Sequence, residues 1–207
     1  GQFEGNAVED LVALYPYDNS VINIAVRADS GITTLEGLNG KPFTPGIRGS
    51  GGELLITQSF KLFGIDPNYI YGTVTDAIEG VANNQMVGYS KYGAASRVDA
   101  ALQELMTSTD MRILGFTPEQ QKLLVDNIPG VGFITLPAGF IKGNPEVTTP
   151  SVPIVYATRL SLMDDETAHK VAKAIGENKQ ILVNVWRQLA DYDFKKSILS
   201  TVDIGIA

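Results

Sequence analysis

The stretch Gly46-Ile47-Arg48-Gly49-Ser50-Gly51-Gly52-Glu53 is where residue types and spacing in this sequence could do chemistry. Ser50 is a natural N-cap, and Glu53 three residues on completes an S-x-x-E capping box, so a helix is expected to start here. The first turn of a helix leaves N–H groups unpaired at the positive end of its dipole. Gly49, Gly51 and Gly52 carry no Cβ, so another molecule can approach that backbone closely. The combination suits an anion, a carboxylate or a phosphate. Simple capping explains the same residues, and Glu53 brings a negative charge of its own. The turn is not a P-loop, since G-x-x-x-x-G-K-[ST] is absent, and it lacks the spacing of a dinucleotide site.

Arg48 lies inside this turn and could clamp a ligand carboxylate with its planar fork. Arg27, Arg97 and Arg159 fall at or after expected element ends, and the ordinary exposure of arginine gives each a surface-charge reading. Tyr89, Ser90 and Tyr92 cluster where a short strand is expected to end. Open α/β sheets bind ligands beyond such ends, so Ser90 and Tyr92 could face the same cleft as Ser50, although tyrosines also simply pack. His169 reads as a surface residue without a partner cluster. Asp164-Asp165-Glu166 reads as a first helical turn complementing the dipole. No H-E-x-x-H, G-x-S-x-G or EF-hand pattern occurs, and neither an active site, a metal site nor a cofactor is expected.

The elements that position these residues follow from periodicity. Ile56, Phe60 and Phe63, widened by Leu55 and Leu62, form one helical stripe that Gly64 would end. Val21–Val26 reads as a buried strand, Thr34–Leu38 as one helical turn and Phe43–Ile47 as the strand feeding the glycine turn. Further strands are expected at Tyr69–Thr73, Met86–Tyr89, Met111–Phe116, Phe133–Leu136 and Val152–Thr158. Helices are expected over Asp76–Asn83, capped by Thr75, then Ser96–Met106 and Glu119–Asp126. A long amphipathic segment follows Asp164, with Trp186 on its apolar stripe. The alternation implies an α/β layer with a mostly parallel sheet. The division expected is 1–39, part of a first lobe with a hinge strand; 40–144, an α/β lobe; and 145–207, a return strand and terminal helix belonging with the first.

The chain has 207 residues, 44% of them hydrophobic and 19% charged, which is the composition of a globular protein. Its formal charge of −7 argues against nucleic acid as a partner. It has no cysteine, so disulfides and thiolate metal sites are excluded. Its first residues have neither the basic nor the apolar region of a signal peptide.

In order along nearly the whole chain, several motifs resemble one family. They are Val26-Arg27-Ala28-Asp29-Ser30-Gly31-Ile32, Leu35-Glu36-Gly37-Leu38-Asn39-Gly40-Lys41 and Gly49-Ser50-Gly51-Gly52-Glu53. Further on come Leu102-Gln103-Glu104-Leu105, Thr109–Leu114, Leu136-Pro137-Ala138-Gly139 and Val152–Arg159. The family is the TAXI-type solute receptors of tripartite ATP-independent periplasmic (TRAP) transporters. The resemblance implies a type II periplasmic-binding-protein-like α/β fold, with one complete α/β lobe and part of a second. The family's opening strand and glycine-rich turn have no counterpart before Val26, and Met86–Ser96 departs from the family pattern.

The function implied is that of a non-enzymatic, extracytoplasmic receptor. It would bind a small organic anion, such as glutamate or a dicarboxylate, and pass it to the membrane permease subunits of a TRAP transporter. Ser50, Gly51, Gly52, Arg48, Ser90 and Tyr92 are the expected ligand-binding residues, with cleft closure hinged near Val26 and Ile154. The rivals are an ABC-type substrate-binding protein, a pyrrole-synthesis transferase of the same fold (whose cysteine-linked cofactor this chain could not attach) and a regulatory effector domain. With part of one lobe missing, apolar faces near Ile22, Ile24, Ile154 and Trp186 are expected to be uncovered and to drive self-association.

Overall fold

Strand β1, Leu11–Arg27, is a 17-residue strand that carries the chain through the middle of its sheet. The structure, a computed structural model, describes residues 9–95, 97–185 and 189–190. These form two compact units, one of residues 20–152 and the other of residues 9–19 with those from 153 onward. The larger unit thus starts and ends outside the 40–144 span expected for the central lobe, because β1 supplies its central strand.

In the larger unit, β1 is followed by β2 (Pro42–Thr44), α1 (Gly51–Phe63), β3 (Asn68–Tyr69), α2 (Val74–Ala82) and β4 (Gly88–Ala94). Then come α3 (Ala100–Leu105), β5 (Met111–Ile113), α4 (Pro118–Asn127), β6 (Gly132–Leu136) and β7 (Val147–Arg159). The strand order is β3-β2-β4-β1-β7-β6, with β5 also pairing β1. Pairs β2–β3 and β2–β4 are parallel, whereas β1–β4, β1–β5 and β6–β7 are antiparallel. The sheet is therefore mixed rather than mostly parallel. Strand β1 enters the sheet without a crossover helix and runs antiparallel to β4 and β5.

Both faces of the central strand are buried, which is why Val21–Val26 reads as one apolar run. Ile22, Ile24 and Val26 join Phe43, Ile56, Phe60 and Leu124 on the α1 and α4 side. Ala25 joins Val81, Tyr89, Leu102 and Ile113 on the α2 and α3 side. Of the stripe expected in α1, Leu55, Ile56 and Phe60 are buried and Phe63 packs partly buried against the core, whereas Leu62 is exposed; truncating buried Phe60 to Ala should cost about 3–5 kcal/mol. Gly64, at φ 69°, ends the helix in the left-handed conformation, as expected. Ile22 and Ile24 are fully buried within this unit, which corrects the expectation that they are uncovered. Trp186 lies outside the described residues.

The smaller unit holds the start of β1, the end of β7, α5 (Asp165–Glu177) and α6 (Lys179–Val185). Leu160 N–H donates to the Asp10 carbonyl at 2.8 Å, and Arg159 Nε donates to Asp10 Oδ1 at 2.9 Å. Asn178 interrupts the expected long helix. No described helix is long and apolar enough to cross a membrane.

Candidate functional site

Ser50 stands just before α1 in an extended conformation and its Oγ accepts the Glu53 N–H at 3.2 Å, the first half of the capping box. The second half does not form. Ser50 N–H donates to the Ile47 carbonyl at 3.0 Å, while the Glu53 carboxylate accepts from Gly49 N–H at 3.2 Å and Tyr71 OH at 3.3 Å. The N–H groups of Gly51 and Gly52 find no acceptor among the described residues. Close packing explains one of the glycines: a Cβ on Gly52 would lie 3.0 Å from Cε2 of the Tyr92 ring.

A second helix start faces the same space. Thr73, not Thr75, caps α2: its Oγ1 accepts the Asp76 N–H at 3.1 Å, and the Asp76 carboxylate accepts the Thr73 N–H at 2.7 Å. Both threonines precede an apolar stripe, but only Thr73 has Asp76 three residues on, the spacing that closes the box.

Strand β4 runs through Ser90 and Tyr92 to Ala94 instead of stopping at Tyr89. Its register against β1 pairs Tyr92 with Ile22 and Ser90 with Ile24. Strand β2 pairs with β4 only as far as Thr44 opposite Tyr89, so beyond that point the edge of β4 away from β1 has no named strand beside it among the described residues. A cleft of about 210 Å³ occupies this opening. Its lining includes Ser50 and Gly52 from the α1 start, Thr73 and Val74 from α2, and Tyr89 to Tyr92 from β4.

Ser50, Gly52, Ser90 and Tyr92 thus come together in one cleft, and a Cβ on Gly51 would lie 3.9 Å from the Tyr92 hydroxyl. Ser90 is less free than its sequence position implied, because its Oγ donates to the Pro45 carbonyl at 2.5 Å. Arg48 points elsewhere, its guanidinium 4.1 Å from the centre of the Tyr71 ring, and is not part of the lining. Arg27 braces α2 by donating to the Val81 carbonyl at 2.8 Å and pairs with Asp29; Arg159 pairs with Asp10. His169 is exposed on α5.

Sequence reasoning missed Thr73 and the polar residues Asn23, Lys91 and Asp99. Lys91 Nζ lies 2.9 Å from Asp99 Oδ1, and Asp99 also caps α3. Asn23 is opposite Lys91 in the β1–β4 register. The Asn23 amide, Asp99 Oδ2 and the Tyr89 hydroxyl are buried without hydrogen-bond partners among the described residues. Burial, helped by the Asp99 charge, pushes the Tyr89 phenol above its ordinary pKa, and burial does the same to Tyr92. Both stay neutral donors at physiological pH. The signal in the sequence was alternation: Tyr89, Lys91 and Gly93 share one face of β4, and Ser90 and Tyr92 share the other. No group of acids and histidines able to hold a metal occurs among the described residues.

Residues 1–203 match the sequence profile of the NMT1-like family. The chain belongs to the NMT1-like family. No curated protein matches this family member. Among solved structures, it is similar to an ancestral arginine-binding protein bound to arginine, at 16% identity and TM-score 0.50, covering 86% of this chain and 63% of that one. It is also similar to an ABC transporter periplasmic binding protein from Brucella ovis with glutathione bound, at 12% identity and TM-score 0.46, covering 76% of this chain and 39% of that one. A third is a polar amino acid ABC uptake transporter substrate-binding protein from Streptococcus thermophilus, at 14% identity and TM-score 0.41, covering 85% and 54%. The likeness to the ancestral arginine-binding protein shows that the NMT1-like chain has the α/β fold of periplasmic binding proteins. The chain spans less than two thirds of the length of each of these solved structures.

Proposed function

We propose that the chain is a non-enzymatic solute receptor working outside the cytoplasm, which binds a small carboxylate-bearing molecule and delivers it to a membrane permease. The observation that carries this reading is the open start of α1. Its Gly51 and Gly52 N–H groups, unpaired among the described residues, border a cleft of about 210 Å³ beside an edge of β4 that β2 does not reach. The periplasmic-binding-protein fold supports it. The ordered resemblance of its motifs to TAXI-type receptors supports a TRAP permease as the partner.

Native mass spectrometry of protein purified without denaturation tests the reading. A retained small organic acid, released on unfolding and rebinding stoichiometrically in calorimetry, is the expected result. A catalytic turnover of that compound would overturn the receptor assignment. The permease is identified by pull-down from membranes with the purified chain: capture of a TRAP permease is expected, and capture of an ABC permease would replace that part of the proposal.

A further inference from the structure

The lining of the cleft has a limited capacity for negative charge. Lys91 is the one lysine or arginine among its lining residues, and the Asp99 carboxylate 2.9 Å away already balances it. Arg48 is engaged on Tyr71, outside the lining. Glu53 and Asp76 each place a carboxylate beside the helix start they belong to, on Gly49 N–H and Thr73 N–H. What remains to receive a ligand charge is a pair of helix starts, each worth about half an elementary charge before its own acid is counted. Tyr89 adds a neutral donor: it lines the cleft, is 2% exposed, and its hydroxyl has no partner among the described residues.

The remaining walls are mostly apolar, formed by Ile22, Pro45, Ile47, Val74, Ala77 and the Tyr92 ring, while the Thr44, Thr73 and Ser90 hydroxyls are engaged with Gly46 N–H, the Asp76 carboxylate and the Pro45 carbonyl. A single carboxylate at the Gly51 and Gly52 N–H groups would be neutralised. A second one on the same molecule would lose its water against these side chains and gain no cation. An ammonium group would meet the same difficulty, because no aspartate or glutamate is among the lining residues.

We infer that this cleft selects a singly charged carboxylate with an apolar body over dicarboxylates and acidic amino acids. The inference rests on the solute-receptor reading above and departs from the glutamate or dicarboxylate that the family resemblance implied.

Calorimetry on the full chain with four probes tests it: isocaproate, succinate, L-glutamate and isocaproamide. Isocaproate and succinate share a backbone and differ in carrying an isopropyl group or a second carboxylate at one end. Isocaproate should bind at least about tenfold more tightly than succinate, glutamate or the neutral amide. Tyr89→Phe, which keeps the ring and removes the donor, should weaken isocaproate several-fold and leave its weak amide analogue unchanged. Succinate or glutamate binding as tightly as isocaproate would overturn the charge argument and leave the receptor standing. Equal affinity for acid and amide would overturn the anionic head group. Silence from all four probes, with a co-purified solute of another class, would overturn the inference alone; silence with no retained solute would remove the receptor reading as well.

Discussion

Helices α1 and α4 begin with the same sequence device and end up with opposite properties. Ser50-x-x-Glu53 and Thr117-x-x-Gln120 are both capping boxes on paper. At α4 the box closes: Thr117 Oγ1 accepts the Gln120 N–H at 3.3 Å, and Gln120 Oε1 accepts the Thr117 N–H at 2.9 Å. Pro118 at the first position has no N–H to leave unpaired, and Gln120 Nε2 reaches Glu36 Oε1 at 2.8 Å. At α1 the box stays half open, glycines replace the proline, and the acid that should close it turns to Gly49 and Tyr71. A closed start stabilises the fold, whereas an open one leaves donors for something else. The motif is shared, and its neighbours decide which use it serves.

The largest effect should come from filling the open end. Gly51→Val places its side chain toward the Tyr92 hydroxyl without a conflict of backbone angle, since Gly51 is not among the positive-φ residues. Calorimetry should show affinity for the retained solute falling at least about tenfold. Pro118→Gly at α4 should leave affinity unchanged and lower only the unfolding free energy, by a few tenths to about 1 kcal/mol. An affinity loss from the α4 variant would erase the distinction between the two ends.

Alkaline pH should separate the two regions next. Tyr89 beside the α1 cleft has a raised folded-state pKa, so its neutral form is favoured on folding. That contribution is intact below the unfolded value of 10.0 and is lost as pH rises above it. Tyr69, pushed up to about 12 mainly by burial, acts in the same direction. Urea unfolding should therefore show stability declining above pH 10, and Tyr89→Phe should flatten the decline. An unchanged slope in that variant would show that Tyr89 is not the group responsible.

Removing each cap comes third. Ser50→Ala and Thr117→Ala should each destabilise by about 1 kcal/mol in urea. Only Ser50→Ala should also weaken solute binding, because only that helix start borders the cleft. The smallest effect is expected from Arg48→Lys. Loss of its stacking on half-buried Tyr71 should cost no more than about 0.5–1 kcal/mol in stability, since Arg48 itself is exposed, with an unchanged dissociation constant. A clear rise in that constant would return Arg48 to the cleft.

Much of this was legible locally. Ser50, Gly64 and the Phe60 stripe define α1 within a few residues, and local rules suffice there. The same is true of the turn at Thr34–Leu38, where a 3₁₀ turn spans Leu35–Leu38. What the sequence hid depends on partners far along the chain. Strand β4 extends past Tyr89 because β1 offers it a register from Ser20 to Val26. Strand β2 stops at Thr44, so the Phe43–Ile47 expectation was too long, and that early stop opens the cleft. Glu53 leaves its box because Tyr71, 18 residues on, provides a donor. Asp99 and Asn23 became visible only when β1 and β4 were side by side.

The most direct measurement is a titration of the full chain, followed through its backbone amide resonances, with the solute it retains on purification. The Gly51 and Gly52 amides should move furthest downfield on saturation, as hydrogen bonds to an anion form, while the Glu119 and Gln120 amides at the closed start of α4 stay where they are. Saturable binding that leaves Gly51 and Gly52 unmoved would contradict it and place the solute elsewhere.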